Sequence, residues 1–166
     1  MRSLLLAAVL ALAGCGRPFD VATAPGFVEL ENQTTHAYRA TTPEGVVVGV
    51  RVVDDEERGD LAFWTQAVTL QLRDVSGYAL LSSDEVLSRD GTKGRRLVFG
   101  HDEDSKPYVY WVTLYLAQGR LFIVEAGGAK DLFERARGNV EWTMKSVRVR
   151  CRPFLFVLGS HTCNKW

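Results

Sequence analysis

From Tyr108 to Leu116 nearly every residue of this chain is apolar or aromatic. Side chains alternate across a strand, so Tyr110, Val112, Leu114 and Leu116 share one face while Trp111, Thr113 and Tyr115 take the other. Both faces carry bulky groups that water disfavours. A sheet built around such a strand is expected to be covered on both sides, at least in part.

The neighbouring segments extend that sheet. His36 to Thr41 and Val46 to Val53 read as a hairpin around Thr42-Pro43-Glu44-Gly45, with Val46, Val48, Val50 and Val52 alternating against Val47, Gly49 and Arg51. Tyr78 to Ser88, Arg95 to His101 and Leu121 to Glu125 read as further strands, punctuated by Asp90-Gly91, Gly94 and Ala117-Gln118-Gly119-Arg120. Two segments have a helical period instead. Leu61, Trp64, Val68, Leu72 and Val75 recur at three- and four-residue intervals behind Asp60, whose carboxylate is suited to capping a first turn, and Gly77 is placed to end that helix. Phe133, Ala136, Val140, Met144 and Val147 make a second stripe, in a helix expected to begin after Gly127-Gly128.

A chain of 166 residues, 46% hydrophobic and 24% charged, is sized and composed for one folded domain. Its 20 basic and 20 acidic residues cancel. Binding nucleic acid takes a surplus of Lys and Arg on one face to neutralise phosphates, so no nucleic-acid partner is expected.

The first residues differ in kind. Arg2 precedes the apolar run Leu4 to Ala13 and small residues follow it, the layout of an export signal. That run is far shorter than the roughly 20 apolar residues needed to cross about 30 Å of hydrocarbon. Leu12-Ala13-Gly14-Cys15 resembles the bacterial lipobox, in which small residues admit the peptidase and the cysteine thiolate takes the lipid. Residues 1–14 then read as a lipoprotein signal peptide. Cys15 becomes the lipidated first residue, its palmitate-type acyl chains making the membrane a partner. Residues 15–34, with Pro18, Pro25 and Gly26, read as a tether, 35–149 as the domain and 150–166 as a tail. Gly16, where an Asp would favour retention at the inner membrane, favours the outer membrane by resemblance to enterobacterial sorting.

Lipidation of Cys15 leaves Cys151 and Cys163 as a pair, expected to oxidise outside the cytoplasm and to add roughly 3 kcal/mol by closing a short loop. Two free thiols are one alternative. The other is a metal held by Cys151, His161 and Cys163, which lacks the usual C-x2-4-C spacing and a fourth ligand.

The segments Gly77-Tyr78-Ala79-Leu80-Leu81, Asp90 to Phe99, Tyr108-Val109-Tyr110 and Phe122-Ile123-Val124-Glu125-Ala126 together resemble the PsbP-like superfamily, in the style of DcrB-like bacterial lipoproteins. The resemblance covers roughly residues 36–149. It implies an α+β fold, a three-layer α/β/α sandwich on an antiparallel β-sheet, and an accessory or assembly role with no catalytic residues to carry over. The tail with Cys151 and Cys163 lies outside it.

The residues themselves offer little catalytic pattern. His36, His101 and His161 fall in no ligand spacing, and His101-Asp102-Glu103-Asp104-Ser105 lacks the order of an EF-hand loop. The acidic stretch Asp54 to Asp60 reads as a solvated loop. There is no G-x-S-x-G elbow and no phosphate loop, so no catalytic residue, metal or cofactor is expected. Trp64, Trp111 and Trp142 read as core. Lys145, Arg148, Arg150 and Arg152 suit a helix C-terminus, or else anionic headgroups or an acidic partner. Phe154 to Leu158 reads as an edge strand or a partner-binding edge. The expected function is that of a non-enzymatic, lipid-anchored envelope protein that binds another envelope protein. The alternatives are a carrier holding a small apolar molecule between sheet and helix, suggested by the aromatic Tyr108 to Tyr115, and a cryptic hydrolase using His36 or His101.

Overall fold

In the computed structural model, which describes residues 17–149, seven strands form one antiparallel sheet. They are β1 (Val28–Glu29), β2 (Tyr38–Thr41), β3 (Val47–Asp54), β4 (Ala79–Leu87), β5 (Lys93–Glu103), β6 (Lys106–Ala117) and β7 (Arg120–Ala129). Their spatial order is β1-β2-β3-β7-β6-β5-β4. Helix α1 (Leu61–Leu70), extended by a π-helical turn at Gln71–Val75, carries the chain from β3 to the far edge at β4. A meander then returns it, and β7 lands beside β3. Helix α2 (Lys130–Ser146) follows on the opposite face.

The alternation in β6 sorts the two layers as expected. Trp111 and Tyr115 join Val48, Val50, Phe122 and Val124 in a core against α2, where Phe133, Val140 and Met144 are buried. Val112 and Leu114 join Leu97, Phe99, Leu121 and Ile123 on the other face, with Leu61, Trp64, Val68 and Leu72 packed over them. The fold is α+β, a sheet with a helix on each side. Asp60 caps α1 as expected, its Oδ1 accepting from Phe63 N at 2.7 Å. Gly77 takes φ +72° just past the π-turn, the left-handed conformation that ends such an element.

Four details depart from the sequence reading. Helix α2 begins after Gly127-Gly128 as expected, at Lys130 and without a side-chain cap, but the strand read as ending at Glu125 runs on through both glycines to Ala129. Close approach is their reason, since a Cβ on Gly128 would lie 3.3 Å from the Val46 backbone. Gly94 likewise belongs to β5, where a Cβ would meet the Tyr115 ring at 2.4 Å. Trp142 is half-exposed, because it sits two residues off the Val140–Met144 line that faces the sheet.

The fourth departure is in the stretch expected to be a tether. Phe19, Ala24 and Phe27 are buried in the α2-side core, and Phe19 meets Phe122 edge to face. The backbone is tied down too. Asp20 bridges Arg148, Ala22 N donates to Ser146 Oγ at 2.8 Å, and Ala24 N donates to Thr143 Oγ1 at 3.2 Å. Isolated aromatic anchors with no periodicity do this work, which is why a periodicity reading passes over it.

Candidate functional site

The two faces of the sheet are covered unequally. Helix α1 packs on β5 and β6 and leaves the β2, β3 and β7 side of its face open. Register decides what that open area displays. Arg39, Gly49 and Glu125 align across β2, β3 and β7, and the next row on this face runs Val47, Gly127 and Tyr110. Two of these positions are glycines, and their missing side chains make room for the His36 ring over Gly49 and the Tyr110 ring beside Gly127. Around these rows lies a cleft of about 560 Å³.

Glu125 is the centre of the cleft, with 9% of its side chain exposed. Four donors converge on it. Arg51, its diagonal neighbour on β3, grips both oxygens, Nε to Oε2 at 2.9 Å and Nη2 to Oε1 at 2.6 Å. Such a bidentate pair fixes orientation as well as charge. The Tyr110 hydroxyl donates to Oε1, and His36 Nε2 lies 3.2 Å from Oε2. His36 is itself positioned: Thr35 Oγ1 is 2.8 Å from its Nδ1, and Gly49 leaves room for the ring, since a Cβ there would come within 2.8 Å of it.

The electrostatics follow from this convergence. The hydrogen bond to Glu125 raises the Arg51 pKa above its ordinary value against the opposing effect of burial. Burial, and then the negative Glu125, push the Tyr110 phenol far above the ordinary tyrosine range, so it remains a neutral donor. A carboxylate has about four acceptor positions, and here they are met by four donor contacts. Glu125 therefore serves in this geometry as a fixed anion that organises its neighbours.

Arg39, at the cleft wall, is in the opposite condition. Among the described residues its Nε is buried without a partner, and its Nη1 reaches only Gln33 Oε1 at 3.4 Å.

Beneath α1 the cleft continues as an apolar groove of about 370 Å³. Trp64, Val68 and Leu72 roof it, Val112 and Ile123 floor it, and Arg51 and Tyr110 line both compartments. Both volumes fall within the roughly 300–1,000 Å³ typical of ligand pockets.

Of the residues singled out in the sequence, His36 enters this cluster, as does Tyr110 from the aromatic Tyr108 to Tyr115 stretch that suggested a carrier. His101 is not brought near it: its ring stacks on Tyr78 with centroids 4.7 Å apart, and it lines a separate cleft beside Tyr108 and Lys130. The acidic stretch is used structurally. Asp55 Oδ1 accepts from Gly59 N and Trp64 Nε1, while Asp54 pairs with Arg120. Among the described residues no group of three or more His, Cys, Asp or Glu is arranged to hold a metal. Cys15, Cys151, His161 and Cys163 lie outside the described residues, as do Arg150, Arg152 and the Phe154 to Leu158 run. Glu125, Arg51 and Arg39 were not anticipated as a site. A signal existed: Glu125 and Arg51 are single charges inside otherwise apolar strands, and such charges need partners when buried.

Known proteins locate this arrangement among folds. No protein-family profile matches the sequence, and no curated protein matches it. Solved structures do. The chain is similar to LpqN of Mycobacterium tuberculosis, described as involved in cell envelope biogenesis, at TM-score 0.61 and 12% identity over 78% of this chain and 81% of that one. It is similar to the cyanobacterial PsbP (CyanoP) of Synechocystis at TM-score 0.53 and 12% identity, covering 82% and 95%. The fold is PsbP-like. The Ran-binding protein Mog1p of Saccharomyces cerevisiae shares it at TM-score 0.57 and 12% identity, covering 80% and 90%. At such identities the PsbP-like fold is common ground and side-chain roles are not. Among the described residues no helix is long and apolar enough to cross a membrane.

Proposed function

We propose that this chain is a lipid-anchored bacterial envelope protein of the DcrB-like kind, an accessory module that binds a partner protein through the open half of its sheet. The observation that carries the reading is the cleft around Glu125, a pre-formed concave surface whose polar groups are positioned but engaged with one another. Such a site favours binding over chemistry, so the module is non-catalytic in this reading. The lipobox-like Leu12 to Cys15 supports the anchor, Gly16 favours the outer membrane, and the envelope role of LpqN agrees with that location. Mog1p, a Ran-binding protein on the same fold, is consistent with protein binding.

A photo-crosslinker at Val47, inside the cleft, tests the binding claim in detergent-extracted envelopes, with the same group at Glu134 on α2 as control. One reproducible adduct from Val47 and none from Glu134 is expected; identical patterns from both would overturn the reading. The anchor has its own test, since Cys15→Ser should abolish both acyl mass and membrane partitioning. Non-reducing peptide mapping should find Cys151 joined to Cys163.

The groove under α1 favours a second reading, the carrier. An apolar groove next to a polar cleft has the shape of a site for a small molecule with an apolar body.

A further inference from the structure

Cleft and groove share Arg51 and Tyr110, so a molecule can occupy both without leaving the protein surface. Their chemistries are complementary halves. One cross-sheet row runs Arg39, Gly49, Glu125, Val112, Leu97, passing from a polar end to an apolar core. The polar half carries two arginines against one carboxylate. Arg51 is satisfied by Glu125, whereas Arg39 has no carboxylate within ion-pair distance among the described residues and keeps its Nε buried and unpartnered. A buried guanidinium nitrogen without an acceptor is costly, and an anion supplies the acceptor.

The roof also fits such a ligand. No residue of α1 is fully buried, and the helix with its first following residues, Leu61 to Leu72, contains no charge. Displacing α1 outward therefore breaks no ion pair of its own.

We infer that cleft and groove are one site for a single-chain anionic amphiphile, its apolar chain between α1 and the sheet and its carboxylate or phosphate in the cleft beside the His36 ring, against Arg39. This rests on the carrier reading above and adds the class of head group to it. Arg39 supplies the free charge, Arg51 and Tyr110 mark the boundary between head and chain, and Trp64 touches the chain.

Trp64 makes the claim measurable. Below its micellar concentration, 12-bromododecanoate added to the full chain should quench tryptophan fluorescence, with a Kd at least tenfold below that of 12-bromododecan-1-ol, which has the same chain and no charge. Arg39→Gln should erase that difference, and Ala67→Trp, which fills the groove, should weaken both ligands. Ala67→Leu serves if the larger substitution unfolds the protein. Dodecanoate and dodecyl phosphate should each displace the probe, and their relative potency tells which anion is preferred. Equal affinity for acid and alcohol, unchanged in Arg39→Gln but lost in Ala67→Trp, would overturn the head-group assignment and leave the carrier reading standing. Absence of quenching by either probe would overturn both.

Discussion

The two sides of the sheet are built to different standards. Among the described residues, twenty buried apolar residues on the α2 side form one cluster that includes the helix, four strands and the arm from Phe19 to Phe27. On the α1 side the buried cluster has six members among the described residues, all from strands, and α1 only leans on them. Phe63 is 50% exposed and Val75 73% exposed on that outer element. Apolar area removed from water is the main source of stability. The α2 side accordingly holds the fold together, and the α1 side is left free to admit something. Elements of low local stability are the ones that move when ligands bind.

Paired substitutions test that division most directly. Phe133→Ala empties a fully buried site under α2 and should cost about 3–5 kcal/mol in urea denaturation. Trp64→Ala on α1 should cost clearly less, because its ring is only partly buried. Equal losses would erase the contrast.

Tyr115, on the α2 side, adds a pH signature. Burial pushes its phenol up to about 12, above the ordinary 10, so the folded state holds this proton after the unfolded state has released it. The resulting stability is fully present below pH 10 and is lost as pH rises through 12, on the order of 2–3 kcal/mol from this group. Melting temperatures measured from pH 9 to 12 should fall more steeply for the native protein than for Tyr115→Phe. Identical slopes would show that this phenol does not sense its core.

Glu125→Gln probes the open face. Removing one charge of a pair whose other member, Arg51, is partly solvated should cost about 1–2 kcal/mol, less than a sealed ion pair would. The same substitution should release Arg51 and raise the cleft's preference for an anionic over an uncharged amphiphile. Smallest of all, Asp60→Ala removes the α1 cap and should cost about 1 kcal/mol, with the increase in amide exchange concentrated in residues 61–70. Exchange spread evenly over both helices would mean that α1 is not an independent layer.

How far the sequence reveals this structure follows the same division. Period-2 alternation in Tyr108 to Leu116 and the two helical stripes assigned the layers correctly, because periodicity records which face is buried. Periodicity is silent on register, and register makes the candidate site. Arg39, Gly49 and Glu125 come from three strands and meet only once the pairing is fixed, so no spacing along the chain announces them. His36 was noticed for its type, yet its partner lies 89 residues away. The glycines misled for a related reason. Gly94 suggested a turn and Gly127-Gly128 the end of a strand before a helix, whereas the structure uses their missing side chains to let strands and rings approach.

Phe19 has a mechanical consequence. It is clamped in the core only four residues beyond Cys15. Four extended residues reach at most about 14 Å, against about 70 Å for the twenty of a free tether. With a lipid on Cys15 the domain would ride on a short leash, one corner held down, unable to sweep the surrounding space. Its working radius would be little more than its own width, and any partner or cargo would have to come to the bilayer to meet it.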